Sequence, residues 1–153
     1  MIRLIVLGLS VLMVAMAADL PSKKYLNLAA IKTMVAAAEA EAHKRDVRVT
    51  ICIVDESGNL MFLQKGEGVS LNTVEYAQKK ARYAAIYGRP SKVAQDSLKA
   101  GNLIALVAPD SFPNQGGVPV KVDGQTIAAI ACSGAASEVD EAIAQSAIDA
   151  LLK

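Results

Sequence analysis

The chain has 153 residues, 53% of them hydrophobic, with 16 Lys and Arg against 15 Asp and Glu. That length and apolar content support one domain with a substantial core, but not two. Charge that is balanced and interspersed lacks the basic footprint of a nucleic-acid binder and the basic helix that docks on an anionic membrane, so neither partner is expected.

Met1-Ile2-Arg3 forms a short positive start, and an apolar run follows from Leu4 to Ala17, ending in the small-x-small pattern Ala15-Met16-Ala17. Such a charged, apolar and small-residue series predicts a secretory signal peptide over 1–17, cleaved after Ala17. The run is shorter than the roughly 20 residues a bilayer-spanning helix needs. The expected location is therefore periplasmic or secreted, with no membrane association once the leader is removed. Loss of Arg3 leaves the mature chain formally neutral. A linker over 18–26, containing Pro21, leads into one domain over 27–153.

Asn27 is a candidate N-cap, and Leu28, Ile31, Val35, Ala38 and Ala42 recur at helical spacing. The basic residues His43, Lys44 and Arg45 suit the negative end of that helix dipole. Residues 47–54 predict a strand covered on both faces. Asp55-Glu56-Ser57-Gly58-Asn59 predicts a turn, and 60–64 the returning strand of a hairpin. Asp55 suits the first turn position, although a carboxylate following a buried strand also fits a general base.

Gly66-Glu67-Gly68 interrupts the pattern. A helix is expected over 70–87, with Val74, Ala77, Ala81, Ala84 and Ala85 as its small-residue face. Gly88-Arg89-Pro90-Ser91 stops it, and a short helix over 91–100 follows. The apolar run 103–107 is expected to be a strand, and 109–119 an irregular loop rich in Pro, Gly, Asn and Gln. Asp123-Gly124 favours a tight turn, so 118–122 and 125–132 form a hairpin. Ser137 is the expected N-cap of the last helix, with Asp140 completing a capping box, and Val139, Ile143, Ala147, Ile148 and Leu151 as its buried stripe. The order α-β-β-α-α-β-β-β-α predicts an α+β fold whose antiparallel sheet carries helices on both faces.

Cys52 and Cys132 each lie in an apolar strand-like run. An oxidising compartment would let them form a disulfide, if their strands are neighbours in a suitable register. Two separately buried thiols that behave as small hydrophobes are the other reading.

Several segments taken in order carry a family resemblance: Val49-Thr50-Ile51-Cys52-Ile53-Val54-Asp55-Glu56-Ser57-Gly58-Asn59-Leu60, then Lys80-Ala81-Arg82-Tyr83-Ala84-Ala85, Arg89-Pro90-Ser91, Gln115-Gly116-Gly117-Val118-Pro119, and Cys132-Ser133-Gly134-Ala135-Ala136-Ser137-Glu138-Val139-Asp140-Glu141. The series resembles the GlcG/HbpS family of haem-binding-like proteins, which includes the C-terminal domain of PduO-type proteins. The resemblance covers roughly 25–153. It implies a five-stranded antiparallel sheet between helical layers in a profilin-like α-β-α arrangement, homo-oligomers larger than a dimer, and binding of haem or another small ligand. It does not imply one settled activity.

His43 is the only histidine and the obvious haem-iron ligand from this chain, although its place at a helix end suits a solvated histidine better. Any second imidazole would have to come from another subunit. Within the resemblance, Glu138-Val139-Asp140-Glu141 has the D/E-x-x-E form linked to iron, placing Glu138 and Glu141 as candidate oxygen ligands. At a helix N-terminus those carboxylates also answer the dipole. Gln115, Gly116 and Gly117 form the most ligand-like loop, since adjacent glycines let backbone amides approach a bound group. Lys80 and Arg82 are candidate partners for a carboxylate or haem propionate. No Ser-His-Asp set, G-x-S-x-G, HExxH, CxxC or phosphate loop is present.

The sequence therefore predicts an exported small-ligand binder for haem or a related tetrapyrrole, serving sequestration, delivery or sensing. The alternative is an enzyme, or enzyme accessory, acting on a small oxo- or hydroxy-acid through Lys80, Arg82 and the Gly116-Gly117 loop. An oligomer with no ligand is a third reading.

Overall fold

The computed structural model of the protein describes residues 19–153, and the expected leader over 1–17 with its cleavage point lies outside them. Asn27 opens the first helix: its Oδ1 accepts a hydrogen bond from the Ala30 amide at 2.8 Å, satisfying one donor that the helix start leaves free. Helix α1 (Leu28–Lys44) follows and buries Ile31, Val35, Ala38 and Ala42 of the predicted stripe together with Met34, whereas Leu28, expected in that stripe, is exposed in the first turn. Strands β1 (Thr50–Asp55) and β2 (Leu60–Gln64) pair antiparallel across the turn at 55–59.

Asp55 builds that turn. Its Oδ1 accepts from the Ser57 and Asn59 amides at 2.9 and 2.8 Å, and its Oδ2 from Asn59 Nδ2 at 3.0 Å. Partial burial pushes the Asp55 carboxyl upward, but these donors outweigh it and hold the group below the usual carboxylate value.

Helix α2 (Thr73–Tyr87) ends at Gly88, which takes the left-handed conformation with φ 59°. Helices α3 (Lys92–Lys99) and α4 (Ile104–Val107) lead to strands β3 (Gly117–Val122) and β4 (Gln125–Ser133), and α5 (Ser137–Leu151) closes the chain.

Among the described residues the sheet has four strands, not five, ordered β2-β1-β4-β3 with every pair antiparallel. The strand expected over 103–107 is the short helix α4. An apolar run of five residues has no periodicity that separates a strand from a helical turn. Here the turn is set locally: Asn102 Oδ1 accepts from the Ile104 amide at 3.1 Å, and the Ala108 amide donates to the Ile104 carbonyl.

Strand alternation distributes the core. Ile51 and Ile53 face α1 and α5 together with Val118, Val120, Ile130 and Ile143. Cys52 and Val54 face Ala77, Ala81 and Ala84 of α2, with Ala129 and Ala131 beside them. The helices thus lie on both faces, as predicted, with large side chains filling the α1–α5 side and small ones letting α2 approach closely. Each fully buried Ile or Val contributes about 1.5–3 kcal/mol. Pro119 sits in the edge strand β3, where its missing amide is tolerated.

The two cysteines stand on adjacent strands, but Cys52 is paired with Ala131, whereas Cys132 is paired with Ile51. That one-residue offset sends their side chains to opposite sheet faces, so both are free, buried thiols. Burial raises the Cys52 thiol to about 12 and also raises that of Cys132, which the Asp140 carboxylate pushes further up. Both thiols are therefore expected to resist a thiolate-specific disulfide reagent at pH 8 in folded protein, and both to react within seconds in denaturant. Rapid labelling of the native protein would contradict this packing.

Candidate functional site

Two cations separated by one residue on α2 have opposite fates, because residues i and i+2 do not share a helix face. Lys80 points inward and is 1% exposed. Its Nζ donates to Asp140 Oδ2 at 2.9 Å and to the Cys132 carbonyl at 3.1 Å. The carboxylate that Lys80 holds is therefore the protein's own. Asp140 Oδ1 accepts in turn from the Ala135 amide at 3.0 Å. Burial pushes the Asp140 carboxyl upward while Lys80 and the backbone amides pull it back. Asp140 is not the capping-box residue the sequence predicts: the N-cap is Ala136, which makes no side-chain cap bond, and Asp140 turns into the core.

The glycine loop closes over this pair. A Cβ on Gly117 would lie 2.3 Å from the Lys80 carbonyl oxygen, and one on Gly116 2.8 Å from Lys80 Nζ, so only glycine lets β3 pass so near α2. The Gly117 amide donates to Ser91 Oγ and the Gln115 amide to Gln95 Oε1, both at 2.9 Å. Gln115 Nε2 donates to Glu141 Oε1 at 3.2 Å, and Glu141 Oε2 is buried without a hydrogen-bond partner among the described residues. Lys80, Gln115, Gly116 and Gly117 are thus brought together in the interior, with the half-buried Glu141 beside them. Glu138 is exposed on the same helix. Among the described residues no group of three or more His, Cys, Asp or Glu side chains is placed to hold a metal ion.

Arg82 faces outward. Its Nε donates to Asp110 Oδ1 at 2.6 Å, which keeps the guanidinium more firmly protonated than usual, and its NH1 lies 3.5 Å from the Ser57 and Gly58 carbonyls. Beside it an open cleft of about 460 Å³ runs between the hairpin turn and α2, walled by Leu60, Leu71 and Val74 and edged by Lys79 and Arg82. A smaller recess of about 240 Å³ adjoins it, with Asp110 and Phe112. Phe112 packs edge-on against Tyr76, ring centroids 5.2 Å apart, and Lys79 Nζ lies 5.6 Å from the Phe112 centroid. Lys79 also pairs with Glu75 Oε1 at 2.7 Å. Lys79, Asp110 and Phe112 were not legible as site residues. The one available signal was an acid and an aromatic residue in the irregular loop, Asp110 and Phe112, 28 and 33 positions beyond the cations Arg82 and Lys79 that they meet.

His43 is exposed at the end of α1 and lines a different cleft, of about 510 Å³, with Glu39, Arg48 and Gln64. An apolar wall with two adjacent cations suits the ring and carboxylates of a tetrapyrrole. Neither of these two clefts combines that wall with the imidazole.

The chain matches the family described as haem-degrading protein HbpS-like over residues 26–149. It is similar to the protein GlcG of Escherichia coli K12, 32% identical over 112 residues that cover 73% of this chain and 84% of that one. Its fold is similar to that of a Streptomyces reticuli HbpS double mutant, with a TM-score of 0.79, 25% identity, and 95% and 99% of the two chains covered. It is also similar to PduOC, solved as a haem complex, with a TM-score of 0.76, 27% identity, and 83% and 95% covered.

The buried pair makes a quantitative expectation. Lys80→Met leaves the Asp140 carboxyl buried without its cation and should lower unfolding free energy by about 3–5 kcal/mol. Adding Asp140→Leu should recover most of that loss, because the uncompensated group is then gone. Urea unfolding of the four proteins in this double-mutant cycle measures it, and additive losses would refute the coupling.

Proposed function

The chain belongs to the haem-degrading protein HbpS-like family, and from that premise we propose that it is an exported binder of haem or a related tetrapyrrole, acting in sequestration, delivery or sensing. The observation that carries this reading is the cleft along α2, where the apolar wall of Leu60, Leu71 and Val74 meets Lys79 and Arg82. An apolar macrocycle placed against that wall removes hydrophobic surface from water, and its carboxylates meet the two cations.

Both cations already have acidic neighbours, Glu75 and Asp110, in ion pairs that are substantially exposed. Exposed pairs contribute about 0–1 kcal/mol, so a ligand carboxylate can replace either partner with little loss. Arg82 is the stronger of the two anchors, since its planar fork holds a carboxylate through two parallel donors. Bound haem supplies redox-active iron. In this reading His43, lying in the separate cleft, reaches that iron only from another copy of the chain, which fits a homo-oligomer. The solved haem complex of PduOC supports the ligand class.

An absorbance titration with haemin tests the proposal. The wild type should give a saturable Soret shift, and Arg82→Ala should weaken binding about ten-fold, a loss of about 1.4 kcal/mol. His43→Ala should change the shape of the bound spectrum. No saturable shift in the wild type would remove the tetrapyrrole. The export part is read separately, by intact mass of protein from the extracytoplasmic fraction: a chain beginning at Ala18 is expected, and one retaining Met1 in the cytosol would refute it.

A further inference from the structure

A third cleft lies between the end of α2 and the α3–α4 segment, and it shares no lining residue with the cleft along β2 and α2. Its volume is about 210 Å³. At about 30 Å³ per water molecule that is room for about seven waters, far too little for a macrocycle and enough for an acid of a few carbons.

The mouth of this pocket carries Arg89. The Tyr83 and Tyr87 rings stack with centroids 4.6 Å apart, and the Arg89 guanidinium carbon lies 5.2 Å from the Tyr87 centroid and 5.8 Å from that of Tyr83. Arg89 Nε donates to the Tyr83 hydroxyl at 3.0 Å, and the Tyr87 hydroxyl donates to the Pro109 carbonyl at 2.5 Å. The guanidinium is therefore positioned by two aromatic faces and one hydrogen bond. Arg45 and Arg82 each pair with a carboxylate, whereas Arg89 has none within ion-pair distance among the described residues. Its terminal nitrogens remain available as a planar donor pair. Inside, Ala94 and Ala105 form an apolar floor, and Ser97 and Asn102 stand on the wall. The Asn102 Oδ1 is engaged by the Ile104 amide, which leaves its amide nitrogen as the donor.

We propose that this pocket is a second ligand site, for a small monocarboxylate with a short apolar tail. The carboxylate is held by Arg89 at the mouth and the tail lies on Ala94 and Ala105. A fixed guanidinium gains more per hydrogen bond than a mobile one, because little of its freedom is left to lose. The site stands independently of the tetrapyrrole cleft and of its cations.

Butyrate is the probe, titrated into isotope-labelled protein and followed by NMR, with 1-butanol as the uncharged control. Butyrate should give saturable shifts at the Arg89 side-chain Nε–H and at the Ser97 backbone amide, and butanol should not. Arg89→Gln should weaken butyrate at least about ten-fold. Ala105→Leu, which fills the floor while keeping the arginine, should abolish saturation. Arg82→Ala should leave butyrate binding unchanged, and Arg89→Gln should leave the haemin titration unchanged. Absence of saturable shifts, equal response to butanol, or unaltered butyrate affinity in Arg89→Gln would each overturn the proposal.

Discussion

The contact between Lys80 and Asp140 constrains the rest of the molecule. Lys80 belongs to the helix on one side of the sheet and Asp140 to a helix on the other, so their ion pair must pass the sheet rather than lie within one layer. It passes at the end where β3 begins, and there the chain has two consecutive glycines. Any side chain at Gly117 would meet the Lys80 backbone. The second hydrogen bond of the ammonium goes to the Cys132 carbonyl, so the last residues of β4 are held by the same group. Hydrophobic residues of equal volume often stabilise a core as much as a buried ion pair does, because two charges must be removed from water to form the pair. What the charged pair adds is direction: it fixes which turn of α2 faces which turn of α5.

That choice orients α2, and the orientation generates both clefts. With Ala77, Lys80, Ala81 and Ala84 turned inward, the 3.6-residue period sends Glu75, Lys79 and Arg82 outward toward the hairpin turn. The same period carries Tyr83 and Tyr87, four residues apart, to the flank where Arg89 folds back over them. One helix thus supplies a buried cation, an exposed cationic edge and an aromatic platform, and a rotation by one residue would lose all three.

Much of this was legible in the sequence where a periodic signal existed. The stripes of α1, α2 and α5 and the Asp123-Gly124 hairpin are local patterns with physical causes, and the structure keeps them except at the starts of α1 and α2, where Leu28 is exposed and Val74 lines the open cleft. The run 103–107 was not legible, because five apolar residues suit a strand as well as a helical turn and a neighbouring asparagine decided between them. Lys80 and Arg82 looked equivalent on paper. Their difference depends on a residue 60 positions away, which single-sequence reasoning has no means to place. The glycine loop misled for a related reason: glycines that permit close approach do not say to what. Here the approaching group is Lys80, and the loop amides at Gln115 and Gly117 are satisfied inside the protein.

The two acid–base pairs of α2 also show why a fold and a binding site can be built from the same chemistry. Lys80–Asp140 at 2.9 Å and Arg82–Asp110 at 2.6 Å have similar geometry, but the first pair has side chains 2% exposed and the second 43% and 32%. Inside, neither group has a second charged partner among the described residues, so separating them leaves a desolvated ion and the arrangement is fixed. Outside, water and salt compete for both groups, so the pair is worth little and either member is free to exchange. A carboxylate ligand therefore has nothing to offer Lys80 and can compete directly for Arg82. Burial, rather than residue type, decides which cation of this helix is structural and which is available to a ligand.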